Sequence, residues 1–205
     1  MNDFLTVKNS ASAEIIEKRS RFLSFCDSVR NREEAEKFIA SKKSEFKDAT
    51  HNTWAYLIND GDMRASDDGE PSGTAGVPIL DVIKKEQLVQ TVIVVTRYFG
   101  GVLLGAGGLV RAYSAAAKAA VDAAGIACMR HCILFSITCA YSDGGKIENI
   151  INQSEAVLLL KDYGGEIILE FYIREASSDD ICSKIIEATG ARAVVKRTGE
   201  GFYPL

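Results

Sequence analysis

The order of apolar and polar positions divides the chain into two successive series of strands and helices. In the first series, an uninterrupted apolar and β-branched run at residues 89–96 predicts a central strand that is buried on both faces. An Ala-rich stretch from Gly108 to about Ala124 predicts a helix that packs close to a sheet, and Gly125 is a typical residue to end it. The same periodicities predict strands at residues 14–17, 21–26 and 53–58, and helices at about residues 32–46 and 75–86.

The pattern restarts after Arg130. It predicts strands at residues 133–141, 156–163, 166–174 and 193–197, and helices at about residues 143–153 and 178–189. The order βαββαβ is that of a ferredoxin-like sandwich. We therefore expect an α+β protein with two domains, residues 1–130 and residues 131–205, that share few contacts.

The composition indicates which class of protein and which cellular compartment to expect. Of the 205 residues, 47% are hydrophobic and 25% are charged, which is ordinary for a soluble globular protein. No apolar run reaches the roughly 18 residues that a membrane span needs, and the N-terminus lacks the features of a secretory signal. The five cysteines are odd in number and widely spread, which argues against a disulfide framework. We expect a cytoplasmic protein with reduced thiols and no membrane contact.

Charge is distributed unevenly along the chain. Residues 1–130 contain 17 basic and 17 acidic residues, and the remainder contains 7 basic and 11 acidic residues. The whole net charge of −4 therefore lies in the C-terminal part. Proteins that bind nucleic acid usually carry a basic surface, and neither half is basic in bulk. Binding to nucleic acid would have to use a local patch.

Two Gly-rich segments flank the predicted central strand. They are residues 67–76 (DDGEPSGTAG) and residues 96–114 (TRYFGGVLLGAGGLVRAYS). Glycine costs backbone entropy on folding, so this density calls for positive φ angles, close approach to a ligand or tight packing. Charged residues lie inside both segments, which indicates a surface site as well as packing.

These segments resemble motifs of the IMPACT family, in its bacterial YigZ-like branch. The resemblance extends to residues 19–22 (RSRF) and 51–56 (HNTWAY), and its four motifs occur in order between residues 18 and 115. It implies an IMPACT N-terminal domain resembling the second domain of ribosomal protein S5. It also implies a C-terminal domain resembling the ferredoxin-like domains of translational elongation factor G. The implied role concerns translation, without a defined enzymatic reaction.

The glycines before the Ala-rich helix form the first candidate site. N–H groups at a helix N-terminus bind anions, glycine lets a phosphate approach, and arginines add charge-assisted hydrogen bonds. This ligand- or anion-binding set comprises Gly105, Gly107, Gly108, Arg97 and Arg111. The segment lacks the third glycine of the dinucleotide fingerprint and the Gly-Lys-Ser/Thr of a P-loop. The alternatives are structural glycines in tight turns and a small-molecule kinase loop.

The long loop from Met63 to Thr74 carries the second candidate. Asp67, Asp68 and Glu70 lie within four residues of one another. They could hold Mg²⁺ together with waters, or they could cap the next helix, because carboxylates stabilise helix N-termini. Capping is the favoured interpretation.

Three neighbours complete this predicted ligand site. Ser72 and Gly73 belong to the same loop, and His51 is either a structural histidine or a hydrogen-bonding group beside the glycines. We expect His51 and the loop to line one concave surface with the glycine set. With two histidines and scattered cysteines, the sequence predicts no metal site and no cofactor.

Basic and aromatic residues near the first hairpin are candidates for contact with nucleic acid or a protein partner. Arg19 and Arg21 alternate with Ser20, so both arginines should lie on one face of a strand. A solvated strand edge is the alternative. Tyr98 is the aromatic residue that we expect to be exposed, where it could stack on a base.

These observations predict a non-enzymatic binding protein in translation or its stress regulation. It would contact RNA, the ribosome or another anionic ligand through its Gly-rich loops, and a translation factor or regulatory protein is a second class of partner. The alternative is an enzyme that acts on a phosphorylated small molecule or nucleotide at the same loops. The sequence offers that alternative neither a P-loop lysine nor a clear general base.

Overall fold

A computed structural model describes residues 3–59 and 61–205. The chain divides into two compact units, Phe4–Ala127 and Cys128–Leu205, and the second unit also includes Asp3. The first ten elements are β1 (Phe4–Val7), β2 (Ala11–Glu17), β3 (Ser20–Ser28), α1 (Arg32–Glu45), β4 (His51–Asn59), β5 (Asp62–Ser66), α2 (Gly76–Lys85), β6 (Thr91–Tyr98), α3 (Ala106–Ala124) and β7 (Ile126–Cys139). The last five are α4 (Tyr141–Asn152), β8 (Val157–Tyr163), β9 (Ile167–Arg174), α5 (Glu175–Thr189) and β10 (Val194–Pro204).

The first unit is built on an antiparallel sheet with strand order β2-β3-β6-β4-β5. Side chains alternate between the faces of a strand, so β6 contributes to two cores. Ile93 and Val95 pack in the core that contains residues of α2 and α3, and Val92 and Val94 pack with residues of α1. The prediction of a central strand buried on both faces is confirmed.

The alanines of α3 let this helix lie close to the sheet. Ala112, Ala116 and Ala120 are buried in the same core as Phe22 of β3. The helix starts at Ala106, two residues before the predicted start, and Gly125 follows its last residue with a positive φ of 69°. Gly105 therefore stands directly before the helix, between it and the end of β6.

Part of the predicted acidic loop is a strand. The sequence predicts a loop from Met63 to Thr74, but β5 pairs with β4 up to the pair Trp54–Ser66. This edge strand is mostly exposed and lacks an apolar alternation, which is why the pattern missed it. The irregular loop begins at Asp67.

The second unit follows the predicted order β-α-β-β-α-β. Its sheet has the strand order β10-β7-β9-β8, and every neighbouring pair in it is antiparallel. Its own core joins Ile147 and Ile151 of α4, Ile181 and Ile185 of α5, and apolar residues of β7 and β9. The α+β class is confirmed, while independent folding of this part of the chain stays a prediction. Within the described residues, no helix has the length and apolar character needed to cross a membrane.

Candidate functional site

A buried ion pair connects the two Gly-rich segments. Arg97, near the end of β6, donates from Nη1 to Glu70 Oε1 at 2.7 Å, and Tyr113 of α3 donates its hydroxyl to the same oxygen at 2.6 Å. The Glu70 and Arg97 side chains are 3% and 6% exposed. Burial, together with the hydrogen bond to Glu70, raises the pKa of Tyr113, so its hydroxyl stays protonated and keeps donating. The network links a loop, a strand and a helix.

The Arg97 guanidinium is held on its other sides as well. Nη2 donates to Ser20 Oγ at 3.3 Å, and the Phe22 and Phe99 ring centroids lie 5.5 Å and 5.4 Å from the guanidinium carbon. The Nε atom is buried and has no hydrogen-bond partner among the described residues. Such an unpartnered donor is uncommon and calls for an explanation.

His51 lies opposite Arg97 on the neighbouring strand β4. Its Nδ1 is 2.8 Å from the carbonyl oxygen of Asp68, which can only accept, so Nδ1 carries the proton and donates. Its Nε2 lies 3.8 Å from Glu70 Oε1, and the side chain is 19% exposed. The cross-strand register therefore brings this imidazole beside the buried ion pair.

The two aspartates of the acidic loop bind groups within the protein. Asp67 accepts backbone hydrogen bonds from Gly73 at 2.8 Å, Ala75 at 3.0 Å and Gly76 at 2.8 Å. Burial acts to raise the pKa of Asp67, but these three bonds outweigh it and the pKa is lowered. Asp67 thus caps α2, which is one of the two interpretations that the sequence left open.

Asp68 has a different set of partners. It accepts from the backbone N–H of Asn52 at 2.7 Å and from Lys43 Nζ at 2.6 Å. Burial acts to raise its pKa, and the Lys43 and Asn52 hydrogen bonds lower it overall. In the described parts of the chain, no three His, Cys, Asp or Glu side chains gather where they could hold a metal ion.

A cleft of about 390 Å³, here called the Arg97 cleft, opens at this network. The start of α3 forms one wall, where Gly105 has a φ of 72° and no side chain of the described residues caps the helix. The exposed side chains of Phe99 and Leu103 form another part of the rim. Its lining includes His51, Glu70, Arg97, Phe99, Leu103, Gly105 and Ala106. The first residues of an uncapped helix and several buried polar side chains thus line an otherwise apolar cleft.

A second cleft of about 260 Å³, here called the Lys18 cleft, lies next to the first. It is lined by Ile15, Glu17, Lys18, Leu104, Gly108, Arg111, Ala112 and Ala115, and Leu104 also lines the Arg97 cleft. The expectation that all candidate residues line one concave surface is therefore wrong in part. Gly108 and Arg111 lie on the side of α3 that faces the Lys18 cleft and line that cleft instead.

The remaining candidates lie outside both linings. Gly107 is exposed at the start of α3, and the Arg111 Nη1 atom lies 3.6 Å from the place that a Cβ on Gly107 would occupy. The side chains of Asp67 and Asp68 are turned to their capping and strand partners. Ser72 and Gly73 are exposed in the loop between them and α2.

Comparison with known proteins identifies the family. Residues 18–121 match the profile of the Impact N-terminal domain, and residues 137–192 match a domain of unknown function, DUF1949. The chain belongs to the IMPACT family. The residues that line the two clefts lie within the matched Impact N-terminal domain, except Ile15 and Glu17 of the Lys18 cleft.

The relatives span nearly the whole chain. The chain is 38% identical over 205 residues to IMPACT family member YvyE of Bacillus subtilis (strain 168), covering 99% of this chain and 94% of that protein. It is 30% identical over 174 residues to IMPACT family member YigZ of Escherichia coli (strain K12), covering 83% and 85%. A solved structure described as "Crystal structure of an hypothetical protein" aligns with a TM-score of 0.61 at 27% identity, covering 97% of this chain and 98% of that one. The resemblance seen in the sequence motifs is confirmed.

The basic motif of this IMPACT family member is arranged differently from the prediction. Lys18 and Arg19 form the turn between β2 and β3 with φ values of 45° and 67°, and β3 begins only at Ser20. The expectation that Arg19 and Arg21 share a strand face is therefore wrong. Arg21 donates to Glu14 at 2.8 Å and 3.2 Å and lies over the ring of Tyr98, 5.9 Å from its centroid.

Tyr98, which we expected to be exposed, is only partly exposed and donates to Asp48 at 3.1 Å. Two residues that organise the site were not singled out from the sequence. Ser20 and Tyr113 complete the Arg97 network, but their partners are 77 and 43 residues away in the chain. Only the occurrence of Ser20 and Tyr113 within the family motifs pointed to them.

Proposed function

We propose that this IMPACT family member is a non-enzymatic binding protein that acts in translation or its stress regulation. It holds an anionic group, such as a phosphate of RNA or of the ribosome, in the Arg97 cleft. The resemblance to the family supports the translational role. Such a role would place the protein in the cytoplasm. The observation that carries the anion site is the meeting of the uncapped α3 N-terminus with Arg97 in one cleft.

The α3 N-terminus supplies the main attraction for an anion. The first N–H groups of a helix lack intrahelical acceptors, and the helix dipole places about half a positive charge there. Gly105 has no side chain to compete for these donors or to block an approaching oxygen. An anion in the cleft would occupy the place that a capping side chain takes in α1, where Asn31 accepts from Glu34 N.

Arg97 and His51 would orient hydrogen-bonding groups toward a bound anion but add little net positive charge to the cleft. Glu70 already balances the Arg97 charge, and that pair holds the guanidinium at the floor of the cleft. Its buried Nε retains one donor without a partner. His51 adds its Nε2 atom, whose hydrogen-bond partner would depend on what occupies the cleft. An anion here would be bound by oriented dipoles with modest salt dependence.

The finer fold names belong to the same proposal. The sheet order β10-β7-β9-β8 with both helices packed in one core supports a ferredoxin-like C-terminal domain, as in translational elongation factor G. The first unit would correspond to the second domain of ribosomal protein S5. One fold can serve many functions, so the support for the binding role comes from the residues of the Arg97 cleft.

Ribosome co-sedimentation with two matched variants tests the proposal. Ala106 is exposed, lines the Arg97 cleft and occupies the first helical position, so Ala106→Asp places a carboxylate where the anion would bind. Ala106→Asn has the same shape without the charge. We expect Ala106→Asp to lose most of its co-sedimentation and Ala106→Asn to retain it. Equal co-sedimentation of wild type and Ala106→Asp would overturn the proposal.

One observation favours the enzymatic alternative. His51 is fixed through Nδ1 while its other nitrogen lies beside the cleft, which is an arrangement that general bases use. The test is phosphate release from nucleotides by wild type and by His51→Gln. Turnover that the substitution abolishes, in a variant that still folds, would favour an enzyme over a binding protein.

A further inference from the structure

The turn between β2 and β3 presents two basic side chains on an unfavourable backbone. Glu17 pairs with Ser20, so Lys18 and Arg19 form a two-residue hairpin loop, and both have a positive φ. Two-residue hairpin loops with a positive φ at both positions prefer Asn-Gly, because the backbone of residues other than Gly, Asn and Asp is strained at positive φ. A sequence that places two long cations at these positions gives up stability, and strain of this kind is concentrated at functional sites.

The backbone of the turn is fixed from the loop that follows β6. A Cβ on Gly100 would lie 2.0 Å from the Arg19 carbonyl carbon, so the two backbones are in direct contact. Gly100 N donates to Ser20 Oγ at 3.2 Å, and the same hydroxyl accepts from Arg97. The turn is thus held in a fixed position relative to the Arg97 network, while its two side chains are exposed.

Two cations that line the Lys18 cleft, Lys18 and Arg111, and the next residue in the turn, Arg19, have no acidic partner among the described residues. Lys18, Arg19 and Arg111 are exposed and form no ion pair or hydrogen bond through their side chains within the described chain. Arg21, two residues beyond Arg19, is by contrast fully paired with Glu14. Glu17 is the one carboxylate among the residues that line this cleft. The local charge is positive although the domain is neutral overall.

The two clefts adjoin along a single residue. Leu104 lines both of them and is itself buried, so the two clefts are separated by one side chain. Phe99, which is 45% exposed at the rim of the Arg97 cleft, presents a ring on which a base can stack. Spaced positive groups beside an aromatic side chain are the recognition features of a single nucleic-acid strand.

We infer that the ligand of this domain is a single-stranded RNA segment that spans both clefts. One phosphate lies at the α3 N-terminus in the Arg97 cleft, and the next phosphates along the strand contact Lys18, Arg19 and Arg111. This inference rests on the proposed function and deepens it, because a lone anion or mononucleotide would need only the first cleft.

The test removes both positive charges from the β2–β3 turn and keeps its backbone conformation. Lys18→Asn/Arg19→Gly installs the preferred residues of the turn, so we expect this variant to unfold at a higher temperature than wild type. Its affinity for labelled single-stranded RNA of about 12 nucleotides should fall about tenfold. The slope of log affinity against log salt should fall by about 0.7 for each lost phosphate contact, or about 1.4 for the pair.

Controls separate this inference from a general charge effect. Arg30→Gln/Lys84→Gln also removes two exposed cations, at positions beyond the other end of β3 and in the last turn of α2, and should bind the RNA as wild type does. Arg111→Gln should weaken binding in the same direction as the turn variant. Equal affinities and slopes for the turn variant and wild type would overturn the inference.

The proposed function can be judged separately on the same samples. If Ala106→Asp abolishes RNA binding and Lys18→Asn/Arg19→Gly leaves it intact, the anion site stands and the two-cleft path is overturned. If neither variant changes RNA binding, both are overturned. Loss of binding in both variants, with the Arg30 and Lys84 control unaffected, supports the path across both clefts.

Discussion

Glu70 Oε1 accepts from Arg97 Nη1 at 2.7 Å in a place where both side chains are almost fully buried. Tyr113 reaches the same oxygen from α3, and Ser20 reaches the guanidinium from β3. The acidic loop, β6, α3 and β3 are therefore all tied to this one pair. Its integrity should determine both the stability of the domain and the shape of the cleft.

Removing the Glu70 charge should be costly. Glu70→Gln leaves the Arg97 guanidinium buried without its counter-ion, and breaking such a pair typically costs about 3–5 kcal/mol. Urea denaturation gives the free energy of unfolding. Glu14→Gln, which removes the exposed partner of Arg21, should change the free energy of unfolding far less, because water screens an exposed ion pair. A Glu70→Gln protein within about 1 kcal/mol of wild type would contradict this account of the pair.

The capping role of Asp67 predicts a dependence of stability on pH. Its folded pKa is lowered, so the stabilisation is present above the unfolded pKa of about 3.9 and is lost as the pH falls through the folded value. Asp67→Asn removes the negative charge from the start of α2, so it should lose up to about 1 kcal/mol at neutral pH, and the difference from wild type should shrink in acid. Thermal melts between neutral pH and strong acid measure this. Asp81→Asn, on the exposed surface of α2, should follow wild type throughout; a constant Asp67→Asn deficit at all pH values would exclude the charged cap.

Two glycines near the site should respond in opposite ways to alanine. A Cβ on Gly100 would collide with the Arg19 backbone, so Gly100→Ala should destabilise the domain by about 1–3 kcal/mol. Gly107 has ordinary space, with Arg111 Nη1 at 3.6 Å, and lies in a helix. Gly107→Ala should therefore stabilise by up to about 1 kcal/mol. Chemical denaturation of the two variants side by side decides the point, and a stable Gly100→Ala protein would exclude the tight contact between turn and loop.

The second unit should fold alone. It has a core of its own, and the β7–β10 ladder extends from Thr138–Val194 to Met129–Pro204. A fragment of residues 128–205 should therefore show dispersed NMR signals and a cooperative thermal transition. A fragment of residues 140–205, which lacks β7, is the matched control and should be unfolded. An unfolded 128–205 fragment would count against independent domains.

The elements that apolar pattern and alanine content determine were predictable from sequence. Val92–Val95 showed a strand buried on both faces, and the alanines of α3 showed a helix close to the sheet. β5 was missed because it is an exposed edge strand with no alternation. The predicted strands left room for a turn after Glu17, but the positive φ of Lys18 and Arg19 could not be foreseen because neither residue signals it. In each case tertiary pairing prevailed over local preference.

The site was predictable in its residues more than in its geometry. Arg97, Glu70, His51 and Gly105 were singled out, and the fold brings them into one cleft because β4 and β6 are neighbours and α3 starts beside them. The division into two clefts could not be foreseen. Arg111 faces the Lys18 cleft because α3 packs beside β2 and β3, and such long-range packing is not encoded in local spacing.

Titration with inorganic phosphate, followed by NMR of the backbone amides, tests the central claim most directly. If the α3 N-terminus binds anions, the Ala106, Gly107 and Gly108 amide signals should move along a saturable curve. The same titration of Ala106→Asp should leave those three signals in place while the protein remains folded. Saturable movement at these amides in wild type alone is the predicted result; no movement there, or equal movement in both proteins, would contradict an anion site in the Arg97 cleft.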